Sequence, residues 1–296
     1  MGATLAEASA AAREVFQEVD ETLGQHLFRL MREGPEGELT LTANAQPAIM
    51  ANAIATLRVL EREGGVRLAD KATCVAGHSL GEYSALCAAD AFSLSTTAKL
   101  LRVRGEAMQA AVPAGVGAMA VLLGPDFPEA EAIAAEAAQG EVCQAANDNG
   151  GGQVVVSGHA AAVERAIGIA KGRGYKRAMK LPVSAPFHCA LMAPAADAMD
   201  TALAEAPLRA PLVPVFANVA AAPVSDPAEI KRLLVAQVTG TVRWRESVEA
   251  MVAAGVEEFV EFGAKVLTGM VKRIAPDAKA TSVVTMGDVE ALAASL

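Results

Sequence analysis

Aromatic side chains are scarce in this chain: one tryptophan, two tyrosines and eight phenylalanines make up 4% of 296 residues. A surface that stacks nucleobases needs several exposed rings, so single-stranded nucleic acid is a poor candidate ligand. Basic charge is also in deficit. The 25 Lys and Arg stand against 34 Asp and Glu, the net charge is −9 and the isoelectric point is about 5.1, which argues against nonspecific nucleic-acid binding. Cysteine is limited to Cys74, Cys87, Cys143 and Cys189, widely spaced and without a Cys-x-x-Cys pair. That spacing supports neither a disulfide frame nor a metal site, and fits reduced thiols in the cytoplasm. No uninterrupted run of about 20 apolar residues is present, so no membrane span is expected. Met1–Glu7 lacks the basic-then-apolar order of a signal peptide.

Apolar residues make up 53% of the chain and charged residues 20%, enough for a folded core. The length fits one large domain or two smaller ones. The most informative stretch is Gly77-His78-Ser79-Leu80-Gly81. An apolar run, Ala72–Ala76, precedes it and a helix-forming run, Glu82–Ala89, follows. Strand, sharp turn and helix form the context in which G-x-S-x-G lifts a serine hydroxyl off a sheet. The helix start offers free N–H groups and partial positive charge where an oxyanion would form. Ser79 is therefore the candidate nucleophile of an acyl transfer, and the backbone N–H of Leu80 a candidate oxyanion donor. The simpler alternative is a strand-to-helix turn whose serine only caps the helix.

The rest of the chain alternates helix and strand. Residues 3–33 read as helices, Thr42 or Asn44 opens a long helix to about Glu63, a strand covers 71–77, and a helix runs from about Ser95 to Ala111. Between 115 and 183 the order is strand 118–123, helix 129–139, strand 142–146, loop 147–152, strand 153–157, helix 160–171 and strand 175–181. That order is the ferredoxin-like βαββαβ motif. The expected fold is α/β: an α/β-hydrolase-like, mostly parallel sheet core built from 1–114 and 184–296, with the small subdomain 115–183 inserted.

A serine hydroxyl needs a base within hydrogen-bond reach. His26, His78, His159 and His188 are the only histidines, and His188 ends a loop stiffened by Pro182 and Pro186, a fitting place for a base over a cleft. His78 is a candidate substrate-binding residue beside the nucleophile.

Several blocks then resemble the malonyl-CoA:acyl carrier protein transacylases of type II fatty-acid synthesis. They are Thr42–Ala48, Gly77–Tyr83, Arg104–Gln109, Ala146–Asn149, Gln153–Gly158, the loop ending at His188, and Val242-Arg243-Trp244 with Ser247, in the family's order along nearly the whole chain. The resemblance implies that Ser79 takes a malonyl group from coenzyme A and passes it to the phosphopantetheine thiol of acyl carrier protein. His188 would be base and then acid, oriented by the main-chain carbonyl of Gln237. Arg104 would pair with the free malonyl carboxylate, and Gln46 would line the same cleft. It implies no permanently bound cofactor, since coenzyme A arrives as a thioester substrate, and a monomer whose partner is a transient carrier protein. Basic residues at Lys171, Arg173, Lys176, Arg177 and Lys180 are candidates for meeting that acidic partner, and Arg243, Arg245, Lys272 and Arg273 for meeting it or the phosphates of coenzyme A.

Two departures stand out. The family opens with an apolar strand and a Gly-Gln-Gly-Ser-Gln loop whose second residue supplies an oxyanion N–H; Met1-Gly2 aligns just downstream, so a chain numbered from an internal methionine, with activity reduced for want of that donor, is the expectation. Phe262-Gly263-Ala264-Lys265 stands where Gly-Pro-Gly-Lys is usual. Competing readings are a serine esterase or thioesterase, and a catalytically impaired paralogue that binds carrier protein. No histidine follows His188 and no His-Gly-Gly-Gly segment is present, both of which count against the esterase.

Overall fold

Three helices show why the N-terminal third packs as it does. In Thr42–Arg62 the apolar positions Met50, Ile54, Leu57 and Leu60 recur at helical spacing and are buried. Ala10–Leu23 brings Val15, Phe16 and Val19 to the same core; the Ser9 side chain caps its start, and Gly24, at φ 59°, ends it. Leu94–Ala110 completes the layer with Leu100, Leu101 and Met108, within a core of 41 buried residues. The computed structural model describes all residues, 1–296.

Nine strands lie in three sheets. β1 (Val75–Ala76), β6 (Val215–Ala217) and β7 (Ala222–Val224) form the first, with β1 parallel to β6 and β7 antiparallel. β2 (Gly117–Leu123), β3 (Cys143–Asp148), β4 (Gln153–His159) and β5 (Arg177–Lys180) form the second, antiparallel throughout, in the order β3-β4-β2-β5. β8 (Glu258–Phe262) and β9 (Lys279–Val283) form a parallel pair. The mixed α/β class is as expected, and the parallel pairing falls in two short sheets rather than one. The expected strand 71–77 shrinks to two residues, because Leu68–Lys71 closes a helical turn first.

The second sheet positions the cleft. Its side chains alternate between faces. Ala118, Ala120 and Leu122 pack under helices Phe127–Ala138 and Ala160–Gly172 in a core of 17 buried residues. Met119, Val121 and Val155 point the other way, toward Leu181 and Phe187. β3 is zipped to the larger region: the Val242 N–H donates to Ala146 O at 2.8 Å and the Asp148 N–H to Val242 O at 2.9 Å.

Candidate active site

Parallel β1 and β6 end on the same side, so the residues after them meet. After β1 comes the turn 77–80 and helix Gly81–Ala88; after β6 comes Asn218. Ser79 sits at φ 54°, a left-handed conformation that costs a non-glycine residue on the order of 1 kcal/mol or more. Asn218 braces it from both sides. Its Oδ1 accepts the Ser79 N–H at 2.7 Å and its Nδ2 donates to Gly77 O at 2.8 Å. Gly77 is required by space: a Cβ there would lie 1.9 Å from the Gly81 carbonyl oxygen. Gly81 is different, with nothing within 4 Å of a built Cβ. The Leu80 N–H has no acceptor within the protein.

His188 lies after Phe187, also at positive φ, 58°. Its Nδ1 is 2.8 Å from the Gln237 main-chain oxygen and its Nε2 is 2.7 Å from Ser79 Oγ. A carbonyl only accepts, so Nδ1 carries the proton and Nε2 keeps a lone pair for the serine O–H. Burial first, and then the nearby Arg104 cation, push the imidazole down to about 3. It is therefore neutral at physiological pH, with the Nε2 lone pair free to accept the serine proton.

Arg104 is only 2% exposed and has no carboxylate partner; three neutral acceptors hold it. Nη1 donates to Gln46 Oε1 at 2.7 Å, and Nη2 donates to Gln237 Oε1 at 2.9 Å and to Ser79 Oγ at 3.1 Å. Nε has no partner, and the guanidinium faces the Tyr83 ring at 5.7 Å. Burial lowers the guanidinium's pKa. Gly105 explains the reach to Gln46: a Cβ there would lie 2.6 Å from Thr42 O, so only glycine lets the two helices come this close.

The structure thus brings His188 and Arg104 onto the Ser79 hydroxyl, with Gln46 and Gln237 one hydrogen bond further out. His78 lies on the cleft wall instead. Its Nε2 is 2.9 Å from Asn149 Oδ1 and its ring faces Trp244, with burial lowering its pKa. The cleft encloses about 230 Å³, with Met119, Val155, Leu181 and Phe187 as its apolar wall. Two residues that sequence reasoning misses complete the inner ring. Asn218 follows β6 with no local mark. Glu82 is the lone charged residue of its helix, which hints at a buried partner. Its Oε2 accepts from Gln237 Nε2 at 2.7 Å and from the Asn218 N–H at 2.9 Å. Burial pushes its carboxyl up to about 7, against the pull of those donors and of Arg104. Arg243 and Arg245 are already paired, with Glu246 and with Asp148 and Glu249, and Arg273 donates to Gln153.

Comparison with known proteins agrees with this chemistry. Residues 1–286 match the family described as "Acyl transferase domain". The malonyl CoA-acyl carrier protein transacylase of Escherichia coli K12 is 42% identical over 297 residues, spanning 100% of this chain and 94% of that protein. The crystal structure of an acyl-carrier-protein-S-malonyltransferase from Bartonella henselae superposes with a TM-score of 0.96 at 55% identity, covering 99% of this chain and 93% of the other. A malonyl-transacylase solved with its type II PKS acyl-carrier protein gives a TM-score of 0.96 at 39% identity, covering 100% of this chain and 95% of the other. A likeness of this extent, at these identities, means that the chain belongs to the acyl transferase domain family, among the malonyl CoA-acyl carrier protein transacylases.

Proposed function

We propose that this chain moves a malonyl group from malonyl-CoA to the phosphopantetheine thiol of acyl carrier protein through a malonyl-Ser79 ester. The observation that carries the reading is that Ser79 Oγ touches both the His188 lone pair and the Arg104 guanidinium. Oγ attacks the thioester carbonyl while His188 Nε2 takes its proton. The carbonyl oxygen becomes an oxyanion, and the Leu80 N–H is the free donor for it. The C–S bond breaks, and His188 returns the proton to the leaving coenzyme A thiolate. The carrier thiol then attacks the ester, with the same proton movements in reverse. Arg104 grips the malonyl carboxylate through its fork of donors; an acetyl group offers no such handle and leaves the cation unpaired.

Within this reading, 115–183 is a ferredoxin-like subdomain whose open sheet face roofs a catalytic region, 1–114 and 184–296, of α/β-hydrolase-like design. Coenzyme A enters as a thioester substrate and no further group is required. Ser79, His188, Arg104, Gln46 and Gln237 all lie on one chain, which fits a monomer, and its free thiols fit the cytoplasm. No helix is long and apolar enough to cross a membrane. The carrier protein docks on the exposed bases Lys171, Lys176, Arg177 and Lys180, none of which forms an ion pair. The test is intact-mass spectrometry. Malonyl-CoA should add one malonyl group on the peptide bearing Ser79, carrier protein should remove it, and Ser79→Ala should abolish it. Absence of the adduct from a folded wild-type chain would reject the proposal.

A further inference from the structure

Gln237 is the hub of the site, and what fixes its side chain is a residue to which no role has been given so far. Its amide lies between two buried charges of opposite sign. On one side Nε2 donates to Glu82 Oε2 at 2.7 Å, and also to Ser79 O at 3.1 Å and Asn218 Oδ1 at 3.4 Å. On the other side Oε1 accepts from Arg104 Nη2 at 2.9 Å. An ionised carboxylate only accepts and a guanidinium only donates. Rotating the amide by half a turn would set oxygen against carboxylate and NH2 against cation, so only one orientation is allowed. Glu82 itself is held by the Asn218 N–H at 2.9 Å and is 2% exposed.

Arg104 has no acid of its own, so its nearest compensating charge reaches it through this amide. Glu82→Gln would keep a carbonyl oxygen for the Asn218 N–H and Gln237 Nε2, which both donate to the one Oε2, whereas Glu82→Met would offer Nε2 no such acceptor and leave it only the longer bonds to Ser79 O and Asn218 Oδ1. In Glu82→Met the Gln237 amide would be held less firmly, and with it the acceptor that it offers Arg104 Nη2. The guanidinium would lose its fixed aim, whereas His188, held by the Gln237 main-chain oxygen, would keep its own.

We propose that Glu82 is a positioning residue: it locks the Gln237 amide so that Arg104 is presented to the free carboxylate of the acyl group, and thereby sets the preference for a dicarboxylic acyl unit. This rests on the reading of Arg104 as the carboxylate-binding residue.

The experiment compares the wild-type chain with Glu82→Met at about pH 8, where the wild-type carboxylate is ionised. Rates of Ser79 acylation by malonyl-CoA and by acetyl-CoA are measured over a range of concentrations. The expected result is a rise in KM for malonyl-CoA and a fall of roughly tenfold or more in the ratio of malonyl to acetyl kcat/KM. An equal fall for both substrates would show that Glu82 only supports the elbow, and would overturn the proposal; so would an unchanged ratio. If Glu82→Met does not fold, the smaller Glu82→Ala removes the same acceptor while leaving Gln237 and its bond to Arg104 in place, and the ratio must fall likewise. A wild type without preference for malonyl-CoA fails the reading of Arg104 and the proposal together, whereas a wild-type preference that both variants keep fails the proposal alone.

Discussion

His188 illustrates how an environment sets a residue's chemistry. An imidazole free in water titrates near 6.5, but here burial and the Arg104 cation favour the neutral form and bring it to about 3. The linkage has a definite sign. Between those two values the unfolded chain binds the proton and the folded chain does not, so this group removes stability as pH falls from 6.5 toward 3. Proton NMR of the ring should accordingly show no His188 titration between about pH 5 and 8; a midpoint near 6.5 would contradict the geometry. The residues around this ring differ in how legible they are. Ser79 is marked by its glycine-flanked turn, His188 by its proline-stiffened loop, and Arg104, Gln46 and Gln237 by resemblance. Asn218 and Glu82 carry no comparable mark, because their bonds to Ser79 and Gln237 close over 139 and 155 residues. Local pattern gives at most the hint of a lone charge in an apolar helix at Glu82, and does not say what meets it.

The same contrast holds for whole elements. The βαββαβ segment is readable almost residue by residue: strand 118–123 is observed as Gly117–Leu123 and helix 160–171 as Ala160–Gly172. Alternating apolar residues and a glycine loop dictate it locally, with Gly150, Gly151 and Gly152 all at positive φ. β1 is not readable, since its two residues are a strand only because β6 lies beside them. β5, the edge of its sheet, is instructive on its outer side. Arg177, Met179 and Lys180 are exposed there, basic groups beside an apolar side chain. An edge of this kind suits an acidic partner. Reversing Lys176 and Arg177 to glutamate should raise KM for the carrier protein several-fold, since each exposed charge pair carries about 0.2–1 kcal/mol. The effect should shrink at high salt, while acylation by malonyl-CoA should not change. An unchanged KM for the carrier would remove this edge from the docking surface.

At the scale of the molecule, the question is whether two cores behave as one. The helix-backed face of the small sheet has its own core of 17 buried residues, apart from the 41 of the larger region. Separate cores favour separate unfolding. Against this, the edge of β3 is hydrogen-bonded to Val242, Thr241 Oγ1 donates to Ala145 O at 2.7 Å, and Asp148 pairs with Arg245 at 2.9 Å. Val242 and Trp244 in turn belong to a third buried cluster with Phe216 of β6. Unfolding the small sheet would therefore strip hydrogen bonds from the strand that leads into Trp244, and cooperative behaviour should win. Leu122→Ala tests this, because Leu122 is fully buried in the small core and its truncation should cost about 2–5 kcal/mol. Trp244, the only tryptophan, reports on the larger region by fluorescence, and far-UV circular dichroism reports on the whole. Both midpoints should fall together in the variant. A circular dichroism transition that moves down while the Trp244 transition stays in place would show that the β3 edge does not couple the two cores.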